Sequence, residues 1–200
     1  MFAFLFSEIV QYIMKQEQAA LNQSNQTGGG AQVPDLESQL HELGVPVGEK
    51  MIELAFYREM RTPNASNNGK RELEIVSMLH FINTTLWKQL FGRQADGLEQ
   101  SNTDDTEYWL SDRGPVTNKF TSIGKDRNYS GPNCAYFISG ILEGFLRSAN
   151  LAAKVTPVLH SPEPAADPSE ASGGTTGDNP YAAGGVQESV ATTIFVIKFT

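Results

Sequence analysis

The chain has 200 residues, 40% of them hydrophobic, which is enough for one globular domain with a substantial core. Its formal net charge of −8 argues against a nucleic-acid-binding protein, which needs a clustered basic surface. The same charge argues against direct docking on anionic membranes. A single cysteine permits no internal disulfide and fits a reducing compartment, so we expect a cytoplasmic protein.

The N-terminal segment predicts a helix with a broad, aromatic-rich apolar face, because its apolar residues recur at helical spacing. Two interpretations are open. This face packs on its own domain, or part of it covers a neighbouring subunit, since buried aromatic anchors are common at interfaces. The candidate partner-interface residues are Phe2, Leu5, Phe6, Ile9, Tyr12 and Ile13.

Two low-complexity segments, 22–34 and 161–189, predict insertions in what is otherwise a single domain over residues 1–200. The first is rich in Asn, Gln, Ser and Gly and predicts a flexible linker over Asn22–Gln32. The second is rich in Pro, Ala, Gly and Asp and is typical of a disordered loop.

After the first insertion, the pattern predicts two short helices separated by a break. Asp35 is a plausible N-cap for the first, and Gly44 is a plausible end. Pro46 predicts the break, and a second helix is expected to start near Val47. Lys70–Phe91 then predicts the longest, most buried helix, with apolar residues on more than one face and Gly92 at its end.

The segment from Arg93 to Asp105 is polar and predicts a solvated loop. An antiparallel hairpin is expected to follow, with strands Thr106–Leu110 and Asn118–Ile123 around the turn residues Gly114 and Pro115.

The remaining apolar segment predicts a core helix that leads into a sheet. Pro132 suits a first helical position, and Asn150 suits the left-handed residue that ends the helix. Gly140 and Gly144, one turn apart, predict that another element approaches this helix closely. Strands are expected over 155–158 and over 190–199, the last with apolar residues on both faces.

This order of elements predicts an α+β fold with an antiparallel sheet of about four strands and helices on one face. No motif for catalysis, cofactor binding or metal binding is present in the sequence. The three histidines lie far apart, and Cys134 is best interpreted as a small core residue rather than a nucleophile. We therefore expect no catalytic residue, no cofactor and no metal, and a protein that is not an enzyme.

Several segments in conserved order resemble the small subunits of the TRAPP (transport protein particle) vesicle-tethering complex, most of all the fifth-subunit type. These segments are Leu5–Tyr12 (LFSEIVQY), Leu43–Gly48 (LGVPVG), Trp87–Gln100 (WKQLFGRQADGLEQ), Asn133–Ala135 (NCA), Ala153–Thr156 (AKVT) and Ile197–Phe199 (IKF). The glycine-spaced LGVPVG is shared more widely in that family, whereas LFGRQADGLEQ is specific to this subunit type.

The resemblance implies an α/β plait and a non-catalytic core or bridging subunit in ER-to-Golgi and Golgi vesicle traffic. The implied partners are other TRAPP small subunits and, through the assembled complex, a Rab GTPase on which the complex exchanges guanine nucleotide. The implied location is cytoplasmic and peripheral at ER and cis-Golgi membranes, with only indirect membrane contact and no nucleic acid. The alternative is an acyl-chain-binding module, because one family relative carries an acylated cysteine. This chain has no cysteine before Cys134 to serve as such an attachment point.

Overall fold

A computed structural model of the chain describes residues 2–27, 35–61, 74–119, 133–160 and 192–200. The helices are α1 (Phe2–Thr27), α2 (Leu36–Met60), α3 (Ile75–Phe81), α4 (Trp87–Phe91), α5 (Val116–Lys119) and α6 (Tyr136–Ser148). A π-helical turn, Ile82–Leu86, joins α3 to α4. The strands are β1 (Gly97–Gln100), β2 (Glu107–Arg113), β3 (Ala153–His160) and β4 (Thr192–Phe199).

The four strands form one antiparallel sheet in the order β1-β2-β4-β3. One face of the sheet packs on helices through Leu110, Val155, Phe195 and Ile197, all of them buried. The predicted α+β fold with an antiparallel sheet on a helical layer is confirmed. The last strand in the sequence, β4, lies between β2 and β3. This central position suits its continuous apolar sequence.

The core is centred on α6 and on the segment from α3 to α4. The largest fully buried side chains belong to these helices, to the sheet and to the start of α2: Leu40, Met78, Leu79, Ile82, Leu86, Trp87, Leu110, Ile138, Leu142, Phe145, Leu146 and Phe195. The predicted ends of both buried helices are confirmed, since Gly92 (φ 77°) and Asn150 (φ 64°) adopt left-handed conformations. The start of α6 was predicted wrongly: this helix begins at Tyr136, and Pro132 lies outside the described residues.

Helix α2 is one continuous helix, so the predicted break at Pro46 is wrong. Asp35 is its N-cap, as predicted, and accepts a hydrogen bond from the Ser38 backbone N–H at 3.2 Å. The helix continues because its buried face runs through Gly44 and Gly48 without interruption. Packing of that face offsets the cost of an interior proline, which is about 3 kcal/mol.

The close approach predicted from Gly140 and Gly144 is confirmed, and the approaching element is α2. A Cβ atom added at Gly44 would lie 3.0 Å from the Cα of Gly140 and would collide with the Phe137 carbonyl oxygen. The glycines of each helix thus face backbone atoms of the other. The two helices are in contact through their main chains rather than through side chains.

Two loop predictions are wrong. Asn22–Thr27, predicted as linker, form the end of α1, because polar residues such as Gln and Asn cost a helix little and the first glycine comes only at Gly28. The predicted hairpin is also wrong, because its first strand pairs with a different segment. β2 pairs with β1, which lies in the segment taken for a loop, and Asn118 belongs to α5 rather than to a strand. Segments 28–34, 62–73, 120–132 and 161–191 lie outside the described residues, and with them the second insertion.

The strand β1 gave a weak signal because only one of its side chains packs on the core. Leu98 contacts the core cluster, whereas Glu99 and Gln100 are exposed. A short edge strand is held by its ladder of backbone hydrogen bonds, which leave no trace in the side-chain pattern.

Candidate partner-binding surface

The structure divides the candidate interface residues of α1 into two groups. Phe6 and Ile13 are buried, at 3% and 4% exposed, whereas Leu5 and Tyr12 are both 62% exposed. Ile9 is half-buried, and the side chain of Phe2 lies outside the described part of the structure. One part of the apolar face of α1, with Phe6 and Ile13, therefore packs on the chain itself. The other part, with Leu5 and Tyr12, faces outward.

The buried group holds α1 to its own domain. The ring of Phe6 packs on Phe137 of α6, with 5.5 Å between centroids. Phe6, Val10 and Ile13 form a second, smaller core with Leu36, Leu40 and Cys134. This explains why half of the apolar face of α1 is not available to a partner.

A second exposed apolar surface, not predicted from the sequence, lies on α2. Leu43, Val47, Leu54 and Tyr57 are between 39% and 56% exposed. Their spacing, with Lys50 between the two pairs, is alternately four and three residues, which is the spacing of a coiled-coil contact stripe. We call Leu43, Val47, Lys50, Leu54 and Tyr57 the outer stripe of α2.

The outer stripe lies beside the buried face of α2, roughly a third of a turn around the helix, so the apolar surface of the helix is wider than the part that the chain covers. Gly44, Gly48 and Ile52 are buried against the rest of the chain, while the stripe faces outward. Near its end, the Arg61 guanidinium donates to the Tyr57 hydroxyl at 2.9 Å and lies 5.5 Å from the ring centroid. These contacts pack the Arg61 side chain against the outward-facing ring of Tyr57.

The sheet face away from the helices is partly apolar as well. Trp109 of β2, Val196 of β4 and Val158 of β3 point to this side, and Trp109 is 37% exposed while Val158 is 48% exposed. The Trp109 indole N–H donates to Glu107 Oε1 at 2.8 Å. Helices cover the other face of β4, as predicted, through Phe195 and Ile197.

A groove of about 660 Å³ lies between α2, α6 and β3. Three of its ionisable side chains contact one another: His41 Nε2 lies 3.2 Å from Glu143 Oε2, and Arg147 contacts the other oxygen of Glu143 at 3.1 Å. Glu42 and Lys154 also line it. Tyr136 also lines the groove, and burial raises the pKa of its hydroxyl, with a further contribution from nearby Glu37. A groove lined by several charged side chains is unsuited to an acyl chain.

The structure places Cys134 in the core and shows no metal-binding cluster among the described residues. Cys134 is buried at 2% exposure in the small core beneath α1. Within the ranges that the structure describes, no group of three or more His, Cys, Asp or Glu side chains is placed to hold a metal ion. The distinctive surfaces of the described chain are its exposed apolar helix faces.

A family model for transport protein particle (TRAPP) components matches residues 2–176. The chain belongs to the TRAPP component family. A protein of Dictyostelium discoideum named trafficking protein particle complex subunit 5 is 41% identical over 155 residues, which are 78% of this chain and 72% of that protein. The human protein of that name is 33% identical over 159 residues, 80% of this chain and 73% of that protein.

A yeast relative, trafficking protein particle complex subunit 31 of Saccharomyces cerevisiae, is 36% identical over 103 residues. That match spans 50% of this chain and 34% of the yeast protein. Together these relatives place this TRAPP family member in the fifth-subunit type.

The fold is also that of a solved TRAPP subunit. The crystal structure of a TRAPP subunit 3 from Naegleria fowleri, covalently bound to palmitic acid, matches with a TM-score of 0.61 at 13% identity. The match covers 100% of this chain and 93% of that one. In the described part of this TRAPP family member, no helix is both long and apolar enough to cross a membrane.

Proposed function

We propose that this TRAPP family member is a non-catalytic core subunit that bridges other small subunits of the TRAPP vesicle-tethering complex. The observation that carries the proposal is the exposure of apolar side chains on two helices that contact each other, α1 and α2. The apolar surface of α2 is wider than the part that the rest of its own chain covers, so the uncovered part needs a partner.

The proposed interface combines Leu5 and Tyr12 of α1 with the outer stripe of α2. Large side chains near the centre of an interface contribute most of the binding free energy, and Tyr is enriched among them. Phe6 and Ile13 support this interface from behind, because they fix α1 on the domain. The partner contact is helix against helix, with another small subunit of the same family.

In the assembled complex, the subunit supports guanine-nucleotide exchange on a Rab GTPase without carrying out chemistry itself. It acts in ER-to-Golgi and Golgi traffic, in the cytoplasm and at the periphery of ER and cis-Golgi membranes, which it reaches through the complex.

The alternative function, binding of an acyl chain inside the domain, has less support in this chain. Rings fill the interior between α2, α3 and α6: Phe81 stacks on Phe56 at 4.7 Å and on Phe145 at 6.2 Å between centroids. The sequence also has no cysteine between Met51 and Phe91 to hold such a chain covalently.

The experiment is affinity purification of the tagged full-length chain from its native cells, followed by mass spectrometry of the proteins that come with it. We expect other TRAPP small subunits in near-stoichiometric amounts. Recovery of the chain alone, under conditions that keep complexes intact, would contradict the proposal.

A further inference from the structure

The outer stripe of α2 has one charged residue, and it is at the centre. Lys50 lies seven residues from both ends of the stripe, with Leu43 and Val47 on one side and Leu54 and Tyr57 on the other. Its side chain is exposed, and no ion pair or hydrogen bond joins it to any residue in the described ranges. Glu53, three residues along, is exposed too and forms no such pair with it.

We infer that Lys50 decides which helix can occupy the outer stripe: it rejects a second copy of this chain and selects a partner helix that presents a carboxylate. This inference rests on the proposed function and adds the chemistry of the partner. A single lysine in an otherwise apolar helix contact lowers affinity in general but specifies the pairing.

The rejection of a second copy follows from the position of Lys50. Two copies of one chain pair about a two-fold axis, so the same surface is used twice. In an antiparallel pairing with the two-fold axis at Lys50, Leu43 of one copy meets Tyr57 of the other, Val47 meets Glu53, Leu54 meets Pro46, and Lys50 meets Lys50. Two ammonium groups would then be brought together while the surrounding apolar side chains remove water from them, which is unfavourable.

The selection of a carboxylate follows from the same geometry. A partner helix with apolar residues at the matching positions buries the four apolar side chains of the stripe. The same contact removes water from Lys50. An acidic side chain must then face it, since a desolvated ammonium group needs a charged or hydrogen-bonding partner. The recognised feature is therefore an amphipathic helix whose apolar stripe contains one Asp or Glu opposite Lys50.

The test uses the full-length chain and measures self-association by sedimentation velocity at matched concentrations. The wild-type chain is not expected to self-associate through this surface. The Lys50→Leu variant is expected to dimerise, with self-association at least about tenfold tighter, which corresponds to about 1.4 kcal/mol. Lys88→Leu, a change of the same kind at an exposed site on α4, is the control and should leave the chain monomeric.

A mixing experiment tests the charge directly. The Lys50→Glu variant alone should be monomeric, because two carboxylates then meet, whereas an equimolar mixture with wild type should form heterodimers. The inference is overturned if Lys50→Leu associates no more than Lys88→Leu, or if the mixture stays monomeric. Because no other TRAPP subunit is present in these samples, such a failure is distinct from a failure to recover TRAPP subunits from cells.

Discussion

The guanidinium of Arg93 donates a hydrogen bond to the carboxylate of Asp112, which is only 1% exposed. The second oxygen of Asp112 accepts from the Trp87 indole N–H at 3.0 Å. Arg93 follows the left-handed Gly92 that ends α4, and Asp112 is on β2. One buried carboxylate therefore joins the end of the central helical segment to the sheet.

Replacing Asp112 with alanine should lower the free energy of unfolding by about 2–4 kcal/mol. The change leaves the buried Trp87 N–H without its acceptor and removes the buried one of the two carboxylates that pair with Arg93. Urea denaturation followed by circular dichroism measures the change. Arg147→Ala, which breaks more exposed ion pairs with Glu143 and Glu49, should cost less than about 1 kcal/mol. Equal losses in the two variants would show that the buried carboxylate has no special part in stability.

The Arg93–Asp112 pair shows what the sequence could and could not predict. LFGRQADGLEQ resembles a motif of this subunit type, but its residues from Arg93 onward were interpreted as a solvated loop. In the structure, Asp96 Oδ2 accepts from the Arg113 backbone N–H at 2.6 Å, and the segment turns directly into β1. Contacts between residues 17 to 19 positions apart leave no periodic signal, so pattern analysis could not find them.

Replacing Gly140 with alanine should destabilise the chain severely, by more than about 2 kcal/mol, although alanine normally favours a helix by about 1 kcal/mol over glycine. The added methyl group would collide with the His41 carbonyl oxygen, which is backbone and cannot move aside without separating α2 from α6. Thermal unfolding measures the loss.

Gly92→Ala is the matched control for that variant, because a methyl group there meets nothing within 4 Å and the cost comes only from the left-handed backbone. That cost is about 1–2 kcal/mol. A Gly140→Ala variant as stable as wild type would contradict the backbone contact between the two helices.

The stability of the chain should fall in acid partly through Asp104. Hydrogen bonds from the Thr106 hydroxyl, then the ion pair with Lys198 and the Thr106 backbone N–H, hold the pKa of Asp104 well below its usual range. The folded-state pKa is lower than the unfolded value of about 3.9, so this stabilisation is complete above that pH and is lost as the pH falls through the folded-state pKa.

The Asp104→Asn variant should therefore show a shallower loss of stability below about pH 4 than the wild type. The urea midpoint, measured at several pH values in this range, is the observable. Asp105→Asn, one residue along, is the control. An unchanged acid slope for Asp104→Asn would show that its hydrogen bonds do not favour the ionised form.

The two groups of apolar residues on α1 should respond differently to truncation. Phe6→Ala removes a ring buried against Phe137 and should cost about 3–5 kcal/mol of stability. Leu5→Ala, on the exposed side, should change the melting temperature little and weaken partner binding instead. Differential scanning calorimetry of both variants distinguishes the two. A large loss of stability for Leu5→Ala would place its side chain in the chain's own core.

Only part of the candidate surface could be predicted from the sequence, and the reason is physical. A helical period in the sequence shows which residues share a face, as it did for α1, but it does not show which face the rest of the chain covers. For α2, Pro46 obscured the helix, so the alternating spacing from Leu43 to Tyr57 was divided between two supposed elements. Once the helix is continuous, its second apolar face is evident.

The proposal that exposed apolar helix faces join this subunit to its partners is tested most directly by quantitative affinity purification of an α2 variant. The Leu54→Ala, Tyr57→Ala double variant truncates two side chains of the outer stripe that are 39% and 56% exposed. We expect recovery of other TRAPP small subunits to fall by at least about tenfold, with an unchanged melting temperature. Val76→Ala, at an apolar site on α3 that is 49% exposed, should retain wild-type recovery. Undiminished recovery of partner subunits with the double variant would contradict the account.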